Sequence, residues 1–177
     1  VVICDPHELA NVKGLAGIEW LLEITDNLPL EIYCLIPSCV PATHLETSGA
    51  TITAQDISSL LHQHPDRILG LAEMMNYPGV LAQDPQVLAK IKAVGKLPVD
   101  GHCPDLSGLD LNAYILAGPA SDHECYQLDN AREKLRKGMH LMLREGSSAK
   151  NLQELLPLVN GFNSHNCSLV TDDRHCD

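Results

Sequence analysis

Short apolar runs alternate with helical segments along the whole chain, without a long linker, repeat or low-complexity tract between them. This alternation is typical of a parallel β/α architecture. Right-handed crossovers place the C-terminal ends of all strands in such a fold on one rim. The pattern gives about seven β-α units, one fewer than a closed barrel contains. The sequence therefore predicts an α/β protein with an incomplete (β/α)8 TIM-like barrel.

The predicted strands and helices are bounded by ordinary start and stop signals. Strands are predicted over residues 1–4, 31–36, 67–75, 97–101, 139–144 and 167–171, and a further strand ends at residues 121–124. Thr53 is predicted to cap a helix, and Asp84 with Pro85 to open the next one. Ser147 or Ser148 is predicted to cap the last helix, with Leu152, Leu155 and Leu156 facing inward.

Four acidic or imidazole side chains come just after apolar runs on different β-α units. They are Glu73, His102, His123 and Asp172. Because the C-terminal ends of barrel strands share one rim, we expect these side chains to converge. Oxygen and nitrogen ligands from successive strands suit a hard or borderline divalent metal. A metal-dependent hydrolase is therefore the leading interpretation.

Each of these residues taken alone also has a simpler explanation. Glu73 fits an exposed strand end, and His102 in the GHCP string fits a turn histidine bonded to the backbone. His123 fits the first turn of a helix. Asp172 and Asp173 are adjacent carboxylates, which repel each other unless a cation or a proton separates them. The shared position of all four at strand ends is what favours the metal site.

One histidine pair is predicted to lie outside that site. His62 and His64 form an H-x-H pair, which binds metal when it lies on a strand. Here the pair ends a predicted helix before Pro65, and side chains two residues apart on a helix point in different directions. We interpret the pair as a solvated helix C-terminus.

The composition limits the remaining function classes. The 177 residues are expected to form a single domain with a real core. A net charge of −11 without a long basic stretch argues against a nucleic-acid partner, and no apolar stretch is long enough to cross a bilayer. Seven cysteines without a CxxC pair or signal peptide favour the cytoplasm. G-x-S-x-G, P-loop and G-x-G-x-x-G motifs are absent from the sequence.

Eight longer strings carry a family resemblance over essentially the whole chain. They are VVICDPHELANVKG, PSCVPATHLETSGA, GLAEMMNYPGV, DGHCPDLSGLDLNAYILAG, SDHE, AREKLRKGM, MLREGSSAKNL and CSLVTDDRHCD. In this order they resemble the adenine deaminases of the amidohydrolase superfamily. The resemblance implies a distorted (β/α)8 barrel with a binuclear metal centre, usually of iron or manganese. It also implies hydrolysis of the small-molecule substrate adenine to hypoxanthine and ammonia.

The resemblance also implies a role for each candidate residue. Glu73 resembles the carboxylate that bridges the two metals, and His102 and His123 resemble the histidine ligands of the next two strands. Asp172 resembles the strand-eight aspartate that binds metal and moves the proton. We prefer Asp172 to Asp173 because it is nearer the strand. Nitrogen and oxygen donors suit Mn²⁺, Fe²⁺ and Zn²⁺, so the metal is left open.

The chain is expected to be an internal fragment of a longer protein. It begins inside an apolar run at Val1 without an initiator Met. Relative to the family it covers about strands two to eight, and it lacks the first-strand H-x-H pair, the small β-rich domain and the C-terminal region. We therefore expect the proposed activity to belong to the parent protein and the fragment alone to be inactive.

Other residues near the predicted rim are secondary candidates. Glu124 is a second candidate for proton transfer. Ser38 and Arg144 begin loops, over residues 38–43 and 144–148, that are expected to shape a purine pocket; turn and helix-cap chemistry explains these loops equally well. His7 and Glu8 in the DPHE string are candidates for supporting the metal ligands. Three cysteines near the rim are expected to be small packing residues: Cys4, Cys103 and Cys176.

Two alternatives remain open at this point. Another amidohydrolase, such as a different aminopurine deaminase or a cyclic-amide hydrolase, has the same scaffold and ligands, because fold does not fix substrate. A non-catalytic barrel remnant that binds a partner is the more distant alternative. A homo-oligomer is compatible with either.

Overall fold

The computed structural model describes residues 1–43 and 45–175. The chain separates into two compact units, residues 1–100 and residues 101–177, each built from parallel strands and helices. The two units are described in turn. The expectation that they form a single domain stays a prediction.

The first unit contains a parallel sheet in the order β1-β2-β3-β4. Its elements are β1 (Val2–Cys4), α1 (His7–Lys13), α2 (Leu15–Ile24), β2 (Ile32–Ile36), α3 (Ala54–Gln63), β3 (Ile68–Met74), α4 (Tyr77–Leu81), α5 (Pro85–Ala93) and β4 (Val99–Gly101), whose last residue opens the second unit. Cys4 of β1 is in register with Cys34 of β2. Ile36 of β2 and Leu71 of β3, on the two central strands, are fully buried.

Local capping explains where the helices of this unit begin. The Thr53 side chain accepts a hydrogen bond from the Asp56 N–H, and the Asp56 carboxylate accepts one from the Thr53 N–H, which completes a capping box before α3. Asp84 caps α5 and Pro85 is its first residue. Both predicted helix starts are confirmed. Helix α4 was not predicted, because its YPGVL sequence is typical of a turn.

The second unit contains a parallel sheet in the order β5-β6-β7. Its elements are α6 (Gly108–Ala117), β5 (Ser121–Asp122), α7 (Leu128–Arg136), β6 (His140–Arg144), α8 (Leu152–Leu155) and β7 (Cys167–Val170), with 3-10 turns at Leu156–Leu158 and Ser164–Asn166. Leu141 and Leu143 of β6 pack with Ala131 and Leu155 in its hydrophobic core.

The prediction for the last helix was wrong. Helix α8 begins at Leu152 after Asn151, and neither Ser147 nor Ser148 caps it. The Ser147 N–H donates instead to the carbonyl oxygen of Asp173, 3.0 Å away. Leu155 is buried as expected, but Leu156 lies in the following 3-10 turn and is 53% exposed.

Parallel strands in β/α order fit the predicted fold class, an incomplete (β/α)8 TIM-like barrel. The predicted strands are confirmed with small changes in their ends, because their period and turn signals are local. Within residues 1–43 and 45–175, the helices are too short or too polar to cross a membrane.

Candidate functional site

In the first unit the candidate residues lie at the C-terminal ends of strands. Glu73 is the penultimate residue of β3 and is half-buried, and buried Ser38 follows β2. His7 and Glu8 open α1, just after β1. This placement agrees with the expectation for a parallel β/α fold.

Asp5, His7 and Glu73 form a cluster in which one ligand atom from each residue lies within 4.8 Å of the others. His7 Nδ1 is 3.1 Å from Asp5 Oδ2 and 3.5 Å from Glu73 Oε1. The Ser38 hydroxyl donates to the backbone carbonyl oxygen of Glu73 at 2.5 Å, which supports the end of β3. Glu8 is mostly exposed and its carboxylate lies 3.7 Å from His7 Nε2, at the edge of the cluster.

Sequence reasoning missed Asp5. Its Oδ1 is buried and has no hydrogen-bond partner among the described residues. Burial raises the pKa of Asp5 to about 6. The hydrogen bond with Asp5 raises the pKa of His7 to about 9, against the effect of burial. Asp5 directly follows the apolar run of β1, the same signal that selected the other candidates.

In the second unit the candidates follow β4, β5, β6 and β7. His102 comes directly after β4, and His123 with Glu124 directly after β5. Arg144 is the last residue of β6, and Asp172 lies two residues beyond β7. The structure brings these five side chains together.

Glu124 lies at the centre of this second cluster. Its Oε1 is 3.9 Å from His102 Nδ1 and 3.8 Å from His123 Nε2. The two imidazoles meet edge to face with their ring centroids 5.2 Å apart. His123, Glu124 and Asp172 also form a group whose ligand atoms lie within 4.8 Å of one another.

Arg144 joins the two carboxylates of this cluster. Its guanidinium is buried, pairs with Glu124, and lies 2.7 Å from Asp172 Oδ2. Burial acts to lower the pKa of Arg144, but the hydrogen bonds to Glu124 and Asp172 raise it above its ordinary value. Arg144 is the last residue of β6, as the predicted strand over residues 139–144 requires, and its side chain binds carboxylates. The expectation that residues 144–148 shape a purine pocket stays a prediction.

The two neighbouring aspartates are in different positions. Asp172 has a left-handed backbone with φ 53°, and its carboxylate contacts Arg144. Asp173 is exposed, and its backbone carbonyl accepts the Ser147 N–H. This geometry supports Asp172 over Asp173 as the carboxylate of the cluster.

Hydrogen bonds from three consecutive backbone N–H groups fix the turn that carries His102. The Gly101 N–H donates to Ser121 Oγ at 3.2 Å, and the His102 N–H donates to the buried Tyr114 hydroxyl at 3.0 Å. The Cys103 N–H donates to Asp122 Oδ1 at 2.8 Å. A Cβ on Gly101 would collide with the Ser121 carbonyl oxygen, so this close approach requires glycine.

Asp122 and Lys134 form a fully buried ion pair below this turn. Lys134 Nζ lies 3.0 Å from Asp122 Oδ2 and donates to the Cys103 carbonyl oxygen at 2.6 Å. Burial is the largest single influence and acts to raise the pKa of Asp122 and to lower that of Lys134. The partner's charge and the hydrogen bonds together outweigh it, so the pKa of Asp122 is lowered and that of Lys134 is raised. Sequence reasoning missed Lys134, because it lies in a helix that is charged throughout.

The remaining sequence predictions concern single residues. His62 and His64 lie at the end of α3, as predicted, with His64 as its C-cap. Cys103 is fully buried, as a packing residue would be. Cys4 is half-buried, with its Sγ 3.5 Å from that of Cys34. Cys176 lies outside the described residues.

Comparison with known proteins connects this geometry to a family. The model of the amidohydrolase family matches residues 2–173. The chain belongs to the amidohydrolase family. Amidohydrolases generally use a divalent metal, and the two clusters offer the imidazole nitrogens and carboxylate oxygens that such a metal needs.

Several curated amidohydrolase relatives carry one name. The chain is 58% identical over 174 residues to the adenine deaminase of Oleidesulfovibrio alaskensis, with 98% of this chain and 30% of that protein aligned. It is 54% identical over 174 residues to adenine deaminase 2 of Carboxydothermus hydrogenoformans, with the same coverage. It is 49% identical over 178 residues to the adenine deaminase of Clostridium acetobutylicum, covering 99% of this chain and 31% of that protein. The chain spans about 30% of the length of these relatives.

Proposed function

We propose that the whole protein containing these residues hydrolyses adenine to hypoxanthine and ammonia. The observation that carries the proposal is the identity of 49–58% to the reported proteins named adenine deaminase, over 98–99% of this chain. At such identity the residues of a site are usually shared, whereas a fold alone would leave the substrate open. The clusters at the strand ends supply the acid–base and ligand groups that hydrolysis requires.

We propose a binuclear centre of Mn²⁺ or Fe²⁺, with Zn²⁺ as a third candidate. Glu73 would bridge the metals, and His102, His123 and Asp172 would be ligands. The donor chemistry fits, since these residues offer imidazole nitrogens and carboxylate oxygens. When bound, two divalent cations lower the pKa of water and so supply a nucleophile for attack at C6 of adenine.

In this proposal the residues around Glu124 carry out the proton transfers of the reaction. Asp172 accepts a proton from the nucleophile and passes it to the leaving amine, first as a general base and then as a general acid. Arg144 holds the Asp172 carboxylate in place through the 2.7 Å contact. Glu124 is the second candidate for this transfer, because its carboxylate lies within 4 Å of both imidazoles.

The test is turnover of the purified whole protein with adenine, after reconstitution with Mn²⁺, Fe²⁺ or Zn²⁺. Release of ammonia and hypoxanthine with about two bound metals per chain is expected. Guanine, adenosine and dihydroorotate serve as comparison substrates, and turnover of one of these instead of adenine would indicate another amidohydrolase. A whole protein that binds no metal and turns over no substrate would contradict the proposal.

We also propose that the protein works in the cytoplasm. All six cysteines within the described residues are free thiols, which fits a reducing compartment. The cysteine redox state of the protein in its native cells would test this.

A further inference from the structure

We propose that Asp122 and Lys134 are a positioning pair that sets the spacing between the imidazoles of His102 and His123. The inference rests on the proposed function, because the two histidines are its metal ligands. Neither Asp122 nor Lys134 has any exposed side-chain surface, so neither can touch a substrate. Their effect on the site must therefore pass through the residues that they hold.

The pair holds both backbone groups of Cys103, the residue after His102. Asp122 accepts the Cys103 N–H at 2.8 Å, and Lys134 donates to the Cys103 carbonyl oxygen at 2.6 Å. The two side chains are joined to each other at 3.0 Å. The turn that carries His102 is thus fixed through one closed ring of hydrogen bonds.

The same ring includes the strand end that carries His123. Asp122 is the last residue of β5 and directly precedes His123. Any shift of Cys103 relative to Asp122 would therefore change the distance between the two imidazoles, whose centroids lie 5.2 Å apart. The Cys125 thiol also donates to Asp122 Oδ2, 3.1 Å away, so this oxygen has a second donor beside Lys134.

Stability alone is a weak explanation for this pair. Removing two charges from water is unfavourable, and well-packed apolar residues of similar volume often stabilise a core as well or better. Charged hydrogen bonds, by contrast, have strict distances and directions. Metal ligands benefit from such support, since changes in the groups that orient them typically lower metal affinity by about 10–100-fold.

The experiment measures metal affinity and metal-free stability of the whole protein in parallel. The variants are Lys134→Met and the double variant Asp122→Asn/Lys134→Met, which leaves no buried charge unpaired. The matched control is Lys137→Met on the same helix, because Lys137 makes a more exposed ion pair with Glu133 at 2.8 Å. Mn²⁺ affinity is measured by competition with a chelator, and the thermal midpoint by calorimetry after metal removal.

We expect the double variant to unfold within a few degrees of the wild type but to bind Mn²⁺ about 10–100-fold more weakly. Lys137→Met should bind Mn²⁺ like the wild type. If Lys134→Met does not fold, the double variant still decides the question. Wild-type Mn²⁺ affinity in the double variant, or an equal loss in the control, would overturn the positioning role.

A second measurement separates this inference from the proposed function. A crystal structure of the metal-free double variant should show the centroids of His102 and His123 moved from their 5.2 Å separation. A wild-type protein without metal affinity would contradict the proposed function, whatever this separation is. Unchanged imidazole positions in a folded double variant would contradict the positioning role alone.

Discussion

Arg144 Nη1 lies 2.7 Å from Asp172 Oδ2, and the same guanidinium also pairs with Glu124. Two carboxylates are therefore held by one buried cation at the ends of three strands. A charge-assisted contact of this kind fixes the direction of a carboxylate. A general base needs such a fixed position to reach the proton that it accepts.

Asp172→Asn should preserve the fold and slow deamination strongly, since the substitution is nearly isosteric but removes the proton acceptor. General acid–base catalysis is typically worth about 10²–10⁴-fold, which sets the expected loss in kcat. Asp173→Asn is the control and should be milder, because Arg144 holds the carboxylate of Asp172, whereas Asp173 accepts a hydrogen bond through its backbone carbonyl. Turnover of both variants is measured in excess Mn²⁺, so that metal loss does not resemble lost catalysis.

The reverse result would exchange the two roles. A dead Asp173→Asn variant beside a normal Asp172→Asn variant would assign proton transfer to Asp173. Full activity in both would contradict the mechanism.

Replacing either imidazole next to Glu124 should remove metal from the protein. His102→Ala and His123→Ala are each expected to lower activity by more than about 100-fold, because even the loss of a group behind a ligand costs about 10–100-fold in metal affinity. His62→Ala and His64→Ala at the end of α3 are the controls and should remain within a few-fold of the wild type. Metal content and turnover are measured together, and equal damage in both pairs would show that the α3 histidines were misinterpreted.

Gly101→Ala should destabilise the protein by about 1–3 kcal/mol, the usual range for overpacking a core. The added Cβ would collide with the Ser121 carbonyl oxygen and push residues 101 and 121 apart. Gly161→Ala is the matched control, since a Cβ there meets nothing within 4 Å. Urea denaturation of both variants checks the difference. Equal stability would mean that the strand end relaxes without strain.

The His7 imidazole should titrate near pH 9 in the metal-free protein, and its midpoint should move back towards 6.5 in Asp5→Asn. The pKa of His7 is raised on folding, so the folded state binds this proton more tightly than the unfolded state. The resulting stabilisation is complete below pH 6.5 and is lost as the pH rises through about 9. NMR titration of the ring gives the midpoint, and an unshifted value in the wild type would contradict the Asp5 contact.

Local signals in the sequence determined most of the elements. The apolar runs located the strands, and Thr53, Asp84 and Pro85 located two helix starts, because capping depends on residues within one turn. The same rule failed at Ser147, whose N–H bonds to Asp173 from a distant part of the chain. The convergence of His102, His123 and Asp172 on Glu124 was also predictable in outline, since parallel strands end on one rim.

Only the tertiary structure decided which charges are buried. Lys134 lies in the highly charged helix α7, yet its side chain has no exposed surface. Arg144 ends a predicted strand, but only the structure shows that its buried side chain joins two carboxylates. A buried charge is stable only beside a partner, and the partners Asp122 and Asp172 come from other elements. The sequence determines the order of the elements, whereas these pairs depend on which side chains the folded chain brings within hydrogen-bond distance.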